Sequence, residues 1–279
     1  SMFRGATSFN QDISGWNMGS VTDTNSMFDG AIAFNQYIGY WDIDSASRNN
    51  MFTDTALLND NSGSTGLYKG IDASGDHFFS KTRLTDSNFI VATRSGHYDW
   101  SGNYGPIEIW NITGITDMSG AFANITTFNG DISEWNMGSV TNTNNMFYNA
   151  TDFNQPIGDW SMGSVTDTGS MFKGASTFNQ DISGWNVSIV SNMRSMFQDA
   201  TVFNQPIGDW SMGSVTDTGS MFQGASMFNQ DISGWNVSIV SNTASMFRGT
   251  TSFNQDISGW NMGSVTDTNS MFRDTSFNQ

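Results

Sequence analysis

A tryptophan recurs every 25 residues through most of this chain, and that period limits the fold more than any other feature. Trp16 and Trp41 mark it first, then Trp110, Trp135, Trp160, Trp185, Trp210, Trp235 and Trp260. Around each lies one phrase, clearest as Phe-Asn-Gln-Asp-Ile-Ser-Gly-Trp-Asn-Met-Gly-Ser-Val-Thr-Asp-Thr, followed by Met-Phe and Gly-Ala. A unit this short cannot bury its apolar face alone, so copies must stack and the chain reads as a repeat solenoid. The nine tryptophans are the expected core ladder, each above the last.

Within one unit the apolar positions are Ile182, Trp185, Val187, Val190, Met196, Phe197 and Phe203. The Trp-x-Val alternation predicts a short strand with one buried face. The following Val-Ser-Asn-Met-x-Ser-Met-Phe segment predicts a single helical or 3-10 turn, and Gly-Ala and Asn-Gln are turn punctuation. The expected fold class is therefore a mainly β, leucine-rich-repeat-like β-solenoid with one short strand and one short turn per 25 residues. Its coils would stack at about 4.8 Å, the spacing of hydrogen-bonded strands.

The string Phe-Asn-Gln-Asp-Ile-Ser-Gly-Trp-Asn-Val-Ser, with Val-Ser-Asn-Met-x-x-Met-Phe after it, resembles the BspA-like family of surface leucine-rich repeats. The resemblance covers all but about residues 60–105. It implies a curved or twisted β-solenoid displayed outside the cell in adhesion or coat roles, with no catalytic residues. The family-like methionine of the turn is present at Met118 and Met193, while Thr24, Thr143, Thr168, Thr218, Thr243 and Thr268 stand there elsewhere. Those threonines are expected to loosen the apolar ladder.

A second rhythm of 50 residues overlies the first, since 150–199 and 200–249 are nearly the same text. Pro106, Pro156 and Pro206 lie four residues before a tryptophan, and Asp131, Asp181 and Asp231 take that place in the intervening repeats. Seven residues after the tryptophan, Asp117, Asp167, Asp217 and Asp267 alternate with Asn142, Asn192 and Asn242. Block duplication explains the alternation, and in a stack it sets like charges about 10 Å apart rather than about 5 Å. The asparagine row at Asn10, Asn129, Asn154, Asn179, Asn204, Asn229 and Asn254 reads as structural, satisfying turn backbone along the stack.

The period breaks once, between Trp41 and Trp110, which divides the chain into solenoid repeats at 1–59, an inserted excursion at 60–105 and repeats continuing the same stack at 106–279. The excursion holds both histidines, His77 and His97, and the bases Lys69, Lys81, Arg83 and Arg94. Phe89-Ile90-Val91-Ala92 reads as a strand. Tyr98, Trp100 and Tyr104, with Lys81 and Arg83, form a candidate docking or ligand loop, against the plainer reading of a surface flap.

Acids outnumber bases 26 to 10, for a net charge of −16, which argues against nucleic acid and against an anionic membrane surface. No apolar run reaches the roughly 18 residues of a membrane span. With no cysteine in the chain and histidine confined to the excursion, no nucleophile–base pair can be placed in the repeats, and the reading is of a non-enzyme without cofactor or metal site. Calcium binding by the aspartate rows would be weak, because no loop has dense ligand spacing. Regular Thr-x-Thr pairs raise an ice-binding solenoid as a remote alternative.

Five Asn-x-Ser/Thr triplets, at Asn111, Asn124, Asn149, Asn186 and Asn236, are candidate N-glycosylation sites and point to the cell surface or outside. Residues 1–28 and 245–272 differ only at Ala6 and Thr250. Matching, uncapped ends fit either a window of a longer array or copies stacking head to tail, a contact that does not close and makes a fibre. The expectation is an extracellular structural repeat protein whose partner is itself, forming a glycosylated filament or coat. A cell-surface adhesin segment binding a glycan or protein is the alternative.

Overall fold

A computed structural model describes residues 1–13, 15–34, 41, 46–47, 50–51, 84–96 and 107–279. The chain forms two compact units, Ser1–Arg83 with Asp99–Gly105, and Leu84–Tyr98 with Pro106–Gln279. The candidate docking or ligand loop of Tyr98, Trp100 and Tyr104 with Lys81 and Arg83 lies outside the described residues.

In the larger unit the repeats are stacked coils built almost wholly of turns. Trp185 N–H donates to Ile182 O at 3.1 Å, Val190 to Val187 at 2.9 Å, Met196 to Met193 at 3.2 Å and Phe203 to Ala200 at 3.1 Å. The remaining backbone groups bond from coil to coil. Thr168, Ser170, Phe172 and Gly174 donate forward to Asn192, Arg194, Met196 and Gln198, at 2.7–3.1 Å. Ser191 donates backward to Thr166 O at 2.9 Å. Two left-handed residues per coil turn the chain, one before each methionine (Ser170, Ser195, Ser220, Ser245; φ 54–57°) and one after each Met-Phe-x (Gly174, Asp199, Gly224, Gly249; φ 58–73°). Serine, aspartate and glycine bear this conformation because a small or locally hydrogen-bonding side chain tolerates it.

The strand expected at Trp-x-Val does not form among the described residues. The asparagine after the tryptophan folds the chain instead: Asn186 Oδ1 accepts from Ser188 N–H at 3.2 Å, and Asn136 Oδ1 from Gly138 N–H at 3.0 Å. This side-chain competition with the backbone ends any extended run. The alternation of buried residues survives because a turn also returns every second side chain inward. Among the described residues of this unit, parallel pairing is confined to single-residue bridges a few positions later, Asp117 to Asn142 and onward through Asp167, Asn192, Asp217 and Asn242 to Asp267. Short 3-10 turns occur at Ile107–Ile109 and Met137–Ser139, away from the segment where one was expected.

Three aromatic columns fill the interior. Phe172 stacks on Phe178 within its coil at 4.0 Å and on Phe197 of the next at 5.7 Å, and Phe178 on Phe203 at 6.0 Å. Trp160, Trp185 and Trp210 lie 6.4 Å apart with rings within 3° of parallel. Each indole N–H is buried and bonds to the isoleucine carbonyl of the preceding coil: Trp160 to Ile132, Trp185 to Ile157, Trp210 to Ile182, Trp235 to Ile207 and Trp260 to Ile232, at 2.9–3.2 Å. Four of the threonines that replace methionine are bonded groups of the core, not gaps in the ladder. Thr143, Thr168, Thr218 and Thr243 are buried, and each hydroxyl donates to a carbonyl of the following coil at 3.1–3.2 Å.

The smaller unit is built the same way. Phe3 stacks on Phe9 at 4.1 Å, Phe28 on Phe34 at 4.0 Å and Trp16 on Trp41 at 6.0 Å, with the Trp41 indole bonded to Ile13 O at 2.9 Å. Trp41 is buried, whereas Trp16 is 40% exposed.

Residues 89–92 are helical rather than a strand. Helix α1, Asp86–Arg94, starts on a capping box between Thr85 and Asn88, with Asp86 in its first turn and Arg94 in its last, where the backbone dipole favours them. It packs on the coil that begins at Ile107. Phe89 is fully buried and meets Trp110 and Trp135 edge-on at 6.5 and 5.9 Å, and Arg94 Nη2 donates to Gly120 O at 3.2 Å. Asp86 accepts from Thr116 and Asp117; the Thr116 hydroxyl foremost, helped by the two backbone N–H groups, holds its carboxyl below the usual carboxylate range against the opposing effect of burial.

Two expectations follow. Trp185→Phe removes an indole bond from a filled column and is expected to destabilise the stack by about 2 kcal/mol, part hydrogen bond and part cavity, read by chemical unfolding. Because the folded-state value of Asp86 is lowered, its contribution is present above about pH 4 and is lost as pH falls through that lowered value. Acidification is therefore expected to strip amide protection from Thr116 and Asp117 before it reaches Thr141 and Asn142, which bond to a carbonyl.

Candidate functional surface

Three polar rows run along the coils of the larger unit, and the candidate glycosylation sites fall between them. The first is the asparagine row. Asn154 N–H donates to Asn129 Oδ1 at 2.9 Å, Asn179 to Asn154 at 3.0 Å, Asn204 to Asn179 at 2.9 Å and Asn229 to Asn204 at 2.9 Å. The neighbouring glutamine completes each step, as Gln180 Nε2 does on Asn154 O at 2.9 Å. This row holds the turns together.

The second row is the alternation of aspartate and asparagine. Every member makes the same local turn: Asp167 Oδ1 accepts from Gly169 N–H at 2.8 Å, and Asn192 Oδ1 from Arg194 N–H at 3.0 Å. The asparagines add a donor that an aspartate lacks. Asn192 Nδ2 reaches back to Asp167 Oδ1 at 3.0 Å, and Asn242 Nδ2 to Asp217 Oδ1 at 3.0 Å. Asn144 Nδ2 also approaches Asp167 Oδ1, at 3.3 Å. Gly169 makes room, since a Cβ there would lie 2.7 Å from Asn144 Nδ2 and 2.8 Å from Asn192 Nδ2. The alternation thus pairs acceptor with donor as well as spacing charges, which composition alone did not reveal.

The third row alternates proline with aspartate before the tryptophan. The Pro156 coil carries Gly158, where a Cβ would lie 2.5 Å from Asp181 O, so one coil type is shaped to the backbone of the other. Asp181, Asp231 and Asp256 each accept from the N–H of the serine two residues on, at 2.9 Å. That bond first, and the serine hydroxyl second, hold these exposed carboxyls below the ordinary range. Among the described residues no group of three His, Cys, Asp or Glu is arranged to hold a metal ion.

The candidate glycosylation asparagines are not equivalent. Asn111, Asn186 and Asn236 are exposed, and each uses Oδ1 to accept from the N–H two residues on, at 2.9, 3.2 and 3.2 Å, which is a bond that does not involve Nδ2. Asn124 and Asn149 sit at left-handed positions, and Asn149 Nδ2 donates to Asn124 Oδ1 at 3.0 Å. Asn136 and Asn261 make the same turn as Asn186 with glycine two residues on, so the turn accounts for asparagine at this position.

Asn192→Asp keeps the local turn but loses the donor to Asp167 and sets three carboxylates in adjacent coils. Unfolding at low salt is expected to show a loss of about 1–2 kcal/mol, partly restored at 1 M salt as the repulsion is screened. An unchanged stability would mean that the alternation carries no energetic weight.

No helix among the described residues is long and apolar enough to cross a membrane. No curated protein and no solved structure matches the chain. A model of a repeat family matches residues 1–86, 95–210 and 178–279, and the chain belongs to that family, described as "Mycoplasma protein of unknown function, DUF285".

Proposed function

We propose that this chain is a non-enzymatic structural repeat protein of the cell surface or extracellular space, whose coils let copies add end to end into a filament or coat. The observation that carries the reading is the direction of the bonding between coils. The Thr–Met-Phe–Gly segment of each coil donates forward, as Thr218, Ser220, Phe222 and Gly224 do to Asn242, Ala244, Met246 and Arg248, and the same set recurs from coil to coil. The exposed face of a coil is complementary to the opposite face of any other, in the same chain or another, so head-to-tail growth needs no further interface. The leucine-rich-repeat-like character and kinship with BspA-like surface repeats belong to the same reading, carried by the Phe-Asn-Gln-Asp-Ile-Ser-Gly-Trp phrase. Sugars on Asn111, Asn186 and Asn236 would decorate the outside, since their amide nitrogens lie outside the turn bonds.

Electron microscopy of the full chain tests this. Filaments with an axial spacing of about 4.8 Å between coils are the expected result. Monodisperse particles at every concentration and salt condition would sink the filament and leave binding of a glycan or protein ligand as the stronger reading.

A further inference from the structure

We propose that Asn129 is a site of spontaneous modification, where the side-chain amide is lost to the backbone nitrogen of Gly130 and the rearranged product breaks the link from Asn129 to Asn154. Asn129-Gly130 is the one Asn-Gly pair in the sequence. Elsewhere in the asparagine row a glutamine follows, at Gln11, Gln155, Gln180, Gln205, Gln230 and Gln255. The coil that begins at Ile107 accounts for the exception. A Cβ on residue 130 would lie 2.9 Å from Ile107 Cγ2 and 3.1 Å from Phe128 Cε2. Packing therefore places after Asn129 the residue whose nitrogen is least shielded and whose backbone turns most freely.

The tethers on the side chain differ as well. Asn154 Oδ1 accepts from Asn179 N–H at 3.0 Å and from Gln180 Nε2 at 3.1 Å, and Asn179, Asn204 and Asn229 are held twice in the same way. Among the described residues Asn129 Oδ1 accepts from Asn154 N–H alone, at 2.9 Å, because Gln155 Nε2 bonds instead to the main-chain oxygen of Asn129 at 2.9 Å. Asn129 is exposed to water.

The chemistry needs only water and hydroxide. With its proton taken by hydroxide, Gly130 N attacks Asn129 Cγ. A bond forms between them, the Cγ–Nδ2 bond breaks, and Nδ2 takes a proton from water and leaves as ammonia. Water then opens the five-membered imide at either carbonyl. Opening at Cγ gives aspartate, which keeps an acceptor for Asn154 N–H. Opening at the main-chain carbonyl gives isoaspartate: the chain now runs through Cβ and Cγ, one atom longer, and the carboxylate is left on Cα. That extra atom falls beside Phe128, which stacks on Phe122 at 3.8 Å and on Phe153 at 5.7 Å. The oxygen that accepted from Asn154 becomes part of the main chain, and the link is lost. The reaction needs no second copy and is independent of end-to-end growth.

The full chain is aged at mildly alkaline pH, and its peptides are read by mass spectrometry for amide turned to acid. Asn254 is the reference, because its Oδ1 also has one donor, Asn278 N–H at 2.8 Å, but Gln255 follows it. Conversion at Asn129 is expected to be roughly tenfold faster than at Asn254, since glycine removes the crowding at the attacking nitrogen. Equal rates, or no conversion at Asn129, overturn the site. The isoaspartate form is then separated, and hydrogen exchange at Asn154 N–H is measured against that at Asn204 N–H, farther along the row. Asn154 is expected to quicken about tenfold relative to Asn204, the equivalent of one ordinary hydrogen bond, and to stay within about twofold of the parent in Asn129→Asp. An unchanged ratio in the isoaspartate form would show that the turn absorbs the longer chain. Equal acceleration in Asn129→Asp would show that charge alone opens the link. Either result overturns the rearranged backbone as the cause.

Discussion

The isoleucine carbonyl of each coil accepts two hydrogen bonds, and the stack depends on that doubling. Ile157 O accepts the N–H of Trp160 three residues on and the indole N–H of Trp185 in the following coil, and Ile132, Ile182, Ile207 and Ile232 repeat the arrangement. An indole brought into an apolar column needs a partner for its N–H, and leaving it unpaired costs on the order of 1–3 kcal/mol. Here the partner exists only when the coil below is in register. The tryptophan therefore supplies apolar area and sets alignment together, which a phenylalanine column alone would not do. In a chain with so little regular secondary structure among its described residues, alignment of this kind replaces the ladder of a helix or sheet. The backbone groups that a strand would pair along its length are paired here one turn at a time, within a coil and then forward to the next.

The period, the tryptophan column and the asparagine row were legible in the sequence, because each is a repetition of residue type at fixed spacing. What was not legible is the local conformation between those marks. Trp-x-Val alternates as a strand does, but Asn186 closes a turn through its own side chain, and a two-residue alternation does not distinguish the two. Helix α1 was read as a strand from Phe89-Ile90-Val91-Ala92, a run rich in β-branched residues; its start signal uses Asn88 where glutamate or glutamine is the usual partner of the capping threonine. The threonines in place of methionine looked like lost packing, and only the position of the next coil's carbonyl turns them into bonded groups. The last of these has a cause that the first two lack. A side chain's partner in the neighbouring coil is about 25 residues away, and no local window contains it.

The same geometry recasts the acidic composition. A net charge of −16 suggests a surface made to attract cations, but many of the aspartates serve turns. Asp167 and Asp217 each accept from a backbone N–H two residues on and from an asparagine of the following coil, and Asp181, Asp231 and Asp256 accept from serines. Aspartate recurs because its carboxylate caps a turn at a position that every repeat possesses. The charge follows from the period and is not by itself the mark of a ligand.

Equivalent coils also limit where a function can reside. A property shared by every coil belongs to the array: its length, its stiffness and its capacity to grow by one more unit. Anything that starts, stops or directs the array must come from residues that occur once. Among the described residues α1 is such an element, and its chemistry shows how the hydrogen-bond demand of a coil can be met by a residue from outside the repeat. It meets the donors of Thr116 and Asp117 with a single carboxylate and sets a single phenylalanine edge-on against Trp110 and Trp135.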